Sequence, residues 1–354
     1  MDILNKTLGL ITKQDEEWRA AARERLDNLC MPHWALGRLM DLALDLAGMT
    51  RSITPIVKRK AIITMAGDHG VVAEGVSRFP QEVTPQMVYN FVRGGAGINA
   101  LAMQCGARVV VVDMGVAADL GDLAEKGKII DRKIAPGTAN IAVGPAMSRE
   151  QAVAAIEAGI EIAGLLGPET DIFGTGDMGI GNTTPSTAIL AALAKVEVDA
   201  VCGRGTGLDD GQLSHKIAVI KKCLEVNRPD PDDALDVLAK VGGFEIGGIA
   251  GIILGAAAQK KPVVVDGFIS TAGALIAHGL KPEVADYIIA AHRSMEPGHR
   301  LMQARLGVEP LLDLNMRLGE GTGAALAMNV VEAAVHVLTG IATFAEAAVS
   351  EADK

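Results

Sequence analysis

The chain has 354 residues, 49% hydrophobic and only 3% aromatic, which suits an ordinary globular protein with a large aliphatic core in one big domain or two smaller ones. Its 33 basic and 43 acidic residues give a net charge of −10, and no basic run offers a track for a phosphate backbone, so nucleic acid is excluded as an expected partner. The four cysteines are scattered without C-x-x-C spacing, which argues against a zinc site or a disulfide scaffold.

The sequence predicts neither a targeting signal nor a membrane span. The N-terminal residues do not combine a basic region with an apolar run, so no signal peptide is predicted. The most apolar stretch, IGGIAGIILGAAA at residues 246–258, is too short to span a bilayer. Together with the scattered cysteines, these features favour a cytoplasmic location and no membrane partner.

Helical patterns occupy both ends of the chain. QDEEWRAAARERLDNLCM and ALGRLMDLALDLAGMT near the N-terminus are amphipathic, and residues 323–352 read as helical nearly throughout, with a break near Gly340. We expect residues 1–58 and 325–354 to join in one small helical domain. Residues 59–324 then form a large α/β domain.

Six short apolar runs, most of them rich in β-branched residues, alternate with helical patterns between the two ends. They are AIITMAGDHG (61–70), RVVVVDMG (108–115), TDIFGTG (170–176), DAVCGRG (199–205), PVVVDGF (262–268) and YIIAAHRS (287–294). Unbroken apolar runs of this kind are typical of buried parallel strands. The alternation predicts an α/β fold with a doubly wound, mostly parallel sheet of about six strands and helices on both faces.

The segments between these runs carry the start signals of crossover helices. Ser148 is a predicted N-cap, and Thr184 before Pro185 predicts a second helix start. A third helix has glycines four residues apart, which predicts a smooth groove for close packing on a neighbouring element. These are Gly243, Gly247, Gly251 and Gly255.

Glycine-rich loops follow two of the predicted strands, at the edge where open parallel sheets bind ligands. FGTGDMGIGNTTP (173–185) contains the spacing G-x-G-x-x-G of a dinucleotide site, but Pro185 starts the helix too late for a pyrophosphate turn. A loop of this kind suits a single phosphate or carboxylate. GRGTGLDDGQLSHK (203–216) adds Lys216, either as a phosphate contact or as a solvated surface lysine.

Two other polar segments carry side chains that are suited to ligand binding. Asp68 and His69 have the side chains for a metal, but no third ligand stands at suitable spacing, so we expect neither a metal nor a cofactor. AHRSMEPGH (291–299) offers Ser294 as an anion contact, with Glu296 and His299 as a polar rim.

LNMRLGEGTGAALAM, at residues 314–328, holds Glu320 between two glycines. The absence of bulk on either side lets a flat ring approach the backbone closely, where a carboxylate accepts a proton. The alternative is that Glu320 interacts with the dipole at the start of the C-terminal helix.

Several long motifs, in order from about residue 60 to the C-terminus, resemble the nicotinate-nucleotide:dimethylbenzimidazole phosphoribosyltransferases of cobalamin lower-ligand synthesis. They are DHGVVAEGVSRFPQEVT, GDMGIGNTTP, VCGRGTGLDD, KVGGFEIGGIAG, VVVDGFISTAGAL and LNMRLGEGTGAALAM. The resemblance implies transfer of phosphoribose from nicotinate mononucleotide to 5,6-dimethylbenzimidazole, giving α-ribazole 5′-phosphate and nicotinate. It also implies a homodimer.

The same resemblance assigns roles to individual residues. Glu320 matches the catalytic base, and Ser77 matches a residue near the benzimidazole. The remaining expected substrate contacts are Gln86 and Leu318, Lys216 and Ser294 at the nucleotide phosphate, and Gly176 and Gly205 in loops that approach it. Asp177 is also expected at the substrate, although some relatives have glutamate there, so its carboxylate sits about one methylene further back.

Two other classes of function stay open at this point. A nicotinamide-dependent oxidoreductase needs a ribose-binding acid at the end of the next strand, where Gly203 and Arg204 stand instead. A non-catalytic protein that binds phosphorylated nucleosides differs from an enzyme only in an assay.

Overall fold

A six-stranded, all-parallel sheet forms the centre of the computed structural model, which describes residues 2–205 and 207–350. Its strands are β1 (Lys60–Gly67), β2 (Ala107–Gly115), β3 (Ile130–Asp131), β4 (Ile172–Met178), β5 (Val263–Val265) and β6 (Ile288–Ala290). The strand order is β3-β2-β1-β4-β5-β6, which is the order of a doubly wound sheet and confirms the predicted fold class.

Helices surround this sheet and continue at both ends of the chain. They are α1 (Asp2–Leu10), α2 (Glu16–Asp27), α3 (Arg38–Thr50), α4 (Val83–Arg93), α5 (Gly97–Cys105), α6 (Gly121–Glu125), α7 (Arg149–Leu166), α8 (Thr183–Ala194), α9 (Val198–Val201), α10 (Asp210–Asn227), α11 (Ala234–Val241), α12 (Phe244–Ala258), α13 (Phe268–Leu280), α14 (His299–Leu306), α15 (Thr322–Gly340) and α16 (Phe344–Ala347). Short 3-10 helices cover Gly70–Glu74, Gly167–Glu169 and Pro282–Tyr287.

The predicted strand at residues 199–205 is wrong. The segment begins in the short helix α9 and then runs as a loop. Val198 and Val201 are both buried, and their spacing of three is helical rather than alternating. The place beside β4 is taken by β5, and the sixth strand is the two-residue β3, which pairs with β2.

The structure confirms one of the two predicted helix starts and places the other earlier in the chain. Ser148 caps α7 as predicted, because its hydroxyl accepts the N–H of Gln151 at 3.2 Å. Helix α8 begins two residues earlier than predicted, at Thr183 instead of Pro185, with Asn182 as its N-cap. Pro185 lies inside the first turn, where the missing N–H has no intrahelical partner to lose.

The glycine row of α12 packs closely against α7, as predicted. A Cβ added at Gly251 would lie 2.0 Å from the carbonyl oxygen of Ile156, and one at Gly159 would lie 2.1 Å from that of Gly248. The two backbones are therefore in direct contact, and only glycine fits at these positions.

The two ends of the chain meet through α2, α3 and α15. Helix α3 packs on both α2 and α15, and the Arg25 guanidinium donates to the carbonyl of Leu338 at 2.8 Å. The N–H of Cys30 donates to Ala342 O at 2.8 Å. Helix α15 also contacts β1, β4 and β5, so the division into a small terminal domain and a large domain stays a prediction.

Helix α15 is long and apolar enough to cross a membrane, judged by length and composition alone. Core helices of soluble proteins pass the same test, and just over half of α15 is buried against the rest of the protein. Its neighbours include α3, α5 and β4, so the described structure uses it as a core element.

Candidate active site

A cavity of about 620 Å³ opens at the carboxyl ends of β4, β5 and β6. One part of its wall is apolar and consists of Phe79, Val83, Met87, Met178, Ile180, Ile269 and Leu318. The polar part consists of Asp177, Asn182, Thr183, Gly205, His292, Ser294, Glu296, Arg317 and Glu320. Ligands of doubly wound sheets bind at this edge, so the cavity is the candidate active site.

The backbone of Glu320 is fixed in an unusual conformation. Its φ is +64°, in the left-handed region that favours glycine, and Gly319 and Gly321 on either side also have positive φ. The Thr64 hydroxyl donates to the Glu320 carbonyl at 3.0 Å. A Cβ added at Gly176, on β4, would lie 2.3 Å from that carbonyl oxygen, so the glycine in the strand is what admits the loop.

The Glu320 carboxylate is bonded to a helix other than α15. Its Oε2 accepts the N–H of Ile98 at 3.0 Å, at the beginning of α5. The first turn of α15 is capped by Asp266, which accepts from Gly323 N at 2.7 Å and from Ala324 N at 3.0 Å. The alternative that Glu320 serves the dipole of the C-terminal helix is therefore wrong.

Burial makes Glu320 a better proton acceptor than an exposed carboxylate. The residue is 6% exposed, and this desolvation, together with the charge of Asp266, raises the pKa of Glu320 against the lowering effect of the Ile98 N–H. A carboxylate with a raised pKa that lines a cavity is suited to general-base chemistry.

Asp177 is a second buried acid in the cavity wall. Burial, then the nearby charge of Asp266, raises the pKa of Asp177 to about 8. Asn182 donates to its Oδ2 at 3.0 Å, and its Oδ1 has no hydrogen-bond partner among the described residues. At neutral pH Asp177 therefore holds a proton, and it faces the cavity as a neutral acid.

The groups suited to a phosphate converge where α8 and α10 meet. Lys216 is fully buried, and its ammonium donates to the Thr183 hydroxyl at 2.7 Å. A Cβ at Gly205, whose φ is +49°, would lie 3.0 Å from the Thr183 hydroxyl and 3.3 Å from the Lys216 ammonium. The alternative of a solvated Lys216 is therefore wrong, although burial lowers the pKa of its ammonium.

Ser294 is held in the cavity wall by His299. The Ser294 N–H donates to His299 Nδ1 at 2.9 Å, and His299 Nε2 lies 2.9 Å from the Thr271 hydroxyl. Burial, then the neighbouring His292, lowers the pKa of His299 to about 3, so the ring is neutral with its proton on Nε2. The sequence placed His299 on a polar rim, but the residue is fully buried behind Ser294.

The structure brings most of the predicted site residues together. Asp177, Gly205, Ser294, Leu318 and Glu320 line the cavity, and Lys216 lies directly behind Thr183. Gly176 belongs to β4 and supports Glu320 from below, so its placement in a loop that approaches a phosphate is wrong.

Two predicted substrate contacts lie outside the cavity wall. Ser77 is half-buried and accepts the N–H of Phe79 at 3.2 Å, and Gln86 is exposed on α4. Phe79, Val83 and Met87 line the wall from the same region. The roles of Ser77 and Gln86 stay predictions.

Asp68 and His69, the two residues with side chains suited to a metal, are hydrogen-bonded to other groups of the protein. His69 Nε2 lies 2.8 Å from the buried Glu245 carboxylate, and Asp68 accepts the N–H of Ala117 at 2.8 Å. Within residues 2–205 and 207–350, no group of three His, Cys, Asp or Glu side chains is arranged to hold a metal ion.

Asp266 and Thr183 are the site residues that sequence reasoning missed. Asp266 directly follows the buried strand β5, and an acid in that position was a readable signal in PVVVDGF. The acid that a nicotinamide-dependent oxidoreductase needs was expected after residues 199–205, but the next strand in the sheet is β5. Asp266 therefore stands at the position where such an enzyme would have this acid. Asp266 is 1% exposed and committed to the N–H groups of α15, so it is not free to bind a ribose.

Two buried acids with raised pKa values and a buried lysine beside a glycine-rich loop surround one cavity, which is an arrangement typical of an α/β enzyme. The family model described as phosphoribosyltransferase matches residues 11–349, and the chain belongs to this family of enzymes.

Individual relatives agree with this assignment. The chain is 64% identical to the nicotinate-nucleotide–dimethylbenzimidazole phosphoribosyltransferase of Syntrophotalea carbinolica, over 99% of both chains. It is 61% identical to the protein of the same name from Desulfotalea psychrophila, over the full length of both. A crystal structure of the Thermus thermophilus nicotinate-nucleotide-dimethylbenzimidazole phosphoribosyltransferase superposes with a TM-score of 0.90 at 46% identity, covering 96% of this chain and 100% of that one.

Proposed function

We propose that the protein transfers phosphoribose from nicotinate mononucleotide to 5,6-dimethylbenzimidazole, giving α-ribazole 5′-phosphate and nicotinate for the nucleotide loop of cobalamin. The observation that carries this proposal is the position of Glu320, a buried carboxylate with a raised pKa in the wall of a cavity that also has an apolar side. The names of the relatives support the choice of substrates.

Glu320 activates the incoming base in this scheme. The benzimidazole ring packs against the apolar wall and directs its N–H at the Glu320 carboxylate. Hydrogen bonding to that N–H raises the electron density on the other ring nitrogen, which attacks C1′ of the ribose. As the new bond forms, Glu320 accepts the proton, so the product leaves as a neutral benzimidazole nucleoside.

The nucleotide needs less assistance from the protein. Its pyridinium becomes a neutral pyridine ring as the glycosidic bond breaks, so the leaving group departs without an added proton. The phosphate is proposed to lie at Gly205 and Ser294 in the cavity wall, beside Lys216, whose ammonium donates to Thr183 of the same wall. This anchoring fixes C1′ relative to Glu320, and such positioning supplies much of the rate in group transfer.

The direct test is incubation of the pure protein with nicotinate mononucleotide and dimethylbenzimidazole, followed by mass spectrometry for ribazole phosphate. Parallel reactions with adenine and with a phenol measure the preferred base. Absence of product with every base, in a protein that binds the nucleotide, would favour the non-catalytic alternative. Reduction of a nicotinamide cofactor would favour the oxidoreductase, which the commitment of Asp266 to α15 disfavours.

The oligomeric state, the location and the partners of the protein are also part of the proposal. We infer a homodimer in the cytoplasm, acting on small-molecule substrates without nucleic acid, membrane or cofactor. Ser77 and Gln86 are proposed to reach the benzimidazole when it is bound, from the segment that carries Phe79, Val83 and Met87 into the cavity wall.

A further inference from the structure

The proposed phosphate subsite contains a carboxylate of its own, from Glu296. This residue lies between β6 and α14, lines the cavity and is 8% exposed. Its Oε1 accepts the N–H of Gly205 at 3.0 Å, the same backbone donor that a phosphate in the subsite would use. Its own N–H donates to the Ser294 hydroxyl at 3.3 Å, so Glu296 is connected to two members of the subsite.

The two oxygens of the Glu296 carboxylate differ in their hydrogen bonding. Glu296 Oε2 is buried and has no hydrogen-bond partner among the described residues. A Cβ added at Gly203 would lie 1.8 Å from it, so the glycine is what lets the carboxylate approach this loop. In the free protein, where Lys216 and Arg317 favour the ionised form, this oxygen lacks the donor that a buried carboxylate oxygen normally has. Protonation turns the carboxyl group into a donor, for which a phosphate oxygen in the cavity is a suitable acceptor.

The charges around Glu296 do not fully offset an ionised carboxylate together with a phosphate dianion. Lys216 faces it from α10 and Arg317 from the segment before α15, and both favour the ionised carboxylate. The Cys202 thiol, after α9, is neutral because burial raises its pKa. His299, on the following helix, is neutral as well. Burial is the largest influence on Glu296 itself and raises its pKa.

We propose that Glu296 takes up a proton when the phosphate of the nucleotide enters the subsite, and that its carboxyl group then donates this proton in a hydrogen bond to a phosphate oxygen. The proton comes from solvent, and no covalent bond of the substrate changes. Binding of the phosphorylated substrate is therefore coupled to protonation of this one residue. The inference rests on the proposed function, because it takes nicotinate mononucleotide as the ligand.

Proton uptake is measured directly by isothermal titration calorimetry of nicotinate mononucleotide, at one neutral pH, in HEPES and in Tris. The difference in binding enthalpy between buffers of different ionisation enthalpy gives the number of protons taken up. We expect an uptake that approaches one proton for the wild type, and almost none for Glu296→Gln and Glu296→Ala. The nicotinate riboside, which lacks the phosphate, should bind without uptake. The exposed Glu309→Gln is the matched control and should keep it.

The pH dependence of affinity gives a second readout. In the wild type the affinity for the nucleotide should fall by up to about tenfold per pH unit between the pKa of Glu296 in the free protein and its higher pKa in the complex, whereas Glu296→Gln should be nearly flat over the same range. Uptake that persists in both Glu296 variants would assign the proton to Lys216 or another group and overturn the inference. Nucleotide binding without any uptake in the wild type would overturn it while leaving the proposed function intact. Absence of nucleotide binding would overturn both.

Discussion

Glu320 occupies a backbone conformation that a non-glycine residue adopts at a cost of about 1–2 kcal/mol. The surrounding contacts hold it there: Thr64 binds its carbonyl, Gly176 leaves room beneath, and Asp266 accepts the N–H of Gly321 at 3.1 Å. None of these contacts needs the glutamate side chain. The side chain itself accepts the N–H of Ile98 and lines the cavity, and glycine could supply neither feature at this strained position.

Glu320→Gln is expected to lower kcat by about 10²- to 10⁴-fold with little change in KM for either substrate. The amide is nearly isosteric and still accepts the N–H of Ile98, but it is too weak a base to take the proton. Steady-state kinetics, with thermal unfolding to confirm the fold, measures the effect. Glu332→Gln, on α15 and paired with Lys60, is the matched control and should keep normal kcat. Near-normal turnover in Glu320→Gln would remove Glu320 from the chemistry.

Lys216→Ala is expected to weaken nucleotide binding by about 1.5–3 kcal/mol, the value of a hydrogen bond to a charged group. Binding of dimethylbenzimidazole should change far less. Because Lys216 is fully buried, Lys216→Met is the companion variant that keeps the packing and removes the charge. Titration with the nucleotide and with the riboside separates the two effects. Equal weakening of both ligands would show that Lys216 does not contact the phosphate.

Asp177 predicts a pH dependence of stability. Its pKa of about 8 in the folded protein lies far above the ordinary value of 3.8, so the folded state binds this proton more tightly than the unfolded state. Its contribution to stability is complete below the ordinary value and is lost as the pH rises toward about 8. Asn cannot ionise, so the Tm of Asp177→Asn relative to the wild type should rise across this window. A Tm difference that is constant with pH would contradict the raised pKa.

At the scale of elements, β4 positions the site through its glycines. Gly176→Ala adds a methyl group that would meet the Glu320 carbonyl, which is backbone and cannot move aside cheaply. We expect a loss of about 1–3 kcal/mol in the free energy of unfolding, and a fall in kcat of about 10²-fold because Glu320 shifts.

The control for this change is Gly164→Ala, on the exposed face of α7, where a Cβ would meet nothing within 4 Å. It should stabilise the protein by about 0.4–1 kcal/mol and leave turnover unchanged. Chemical denaturation and steady-state kinetics on both variants make the comparison. Normal turnover in a folded Gly176→Ala would show that the contact does not hold Glu320 in place.

The sequence was sufficient where one local pattern decides the structure. The long apolar runs predicted β1, β2 and β4, and the glycine spacing of four predicted that α12 packs closely on a neighbouring element, although not that this element is α7. Such a strand or helix face is determined by residues that are close in sequence. The sequence failed at residues 199–205, where a four-residue helix leaves too short a pattern to distinguish from a strand. The partners of Glu320 were also out of reach, since Ile98 is 222 positions away and only the folded sheet brings the two together.

At the scale of the whole molecule, both ends of the chain support the site from behind. Helix α15 begins two residues after Glu320 and packs on α3, which in turn packs on α2. Asp266 ties the first turn of α15 to the end of β5, so the orientation of α15 and that of the Glu320 loop are linked. The terminal helices therefore help to fix the position of Glu320 although they lie outside the sheet.

The same helices present a candidate surface for a second copy of the chain. A groove of about 450 Å³ between α3 and α15 is apolar except for Arg38 and Asn329, and its other lining residues are Leu36, Leu39, Leu311, Val330 and Ala333. Leu36 is 40% exposed, and a large apolar side chain at an apolar groove is typical of a protein interface.

We therefore predict a homodimer with a mass near twice the 36.7 kDa of one chain, measured by light scattering over a series of dilutions. Leu36→Glu places a charge in the groove and should shift the population toward the monomer, since an unpaired charge in an interface is strongly unfavourable. Val143→Glu, at a residue 73% exposed and outside the groove, should leave the dimer intact. A wild-type mass near 36.7 kDa at all concentrations would refute the dimer, whereas a Leu36→Glu dimer of normal stability would place the interface elsewhere.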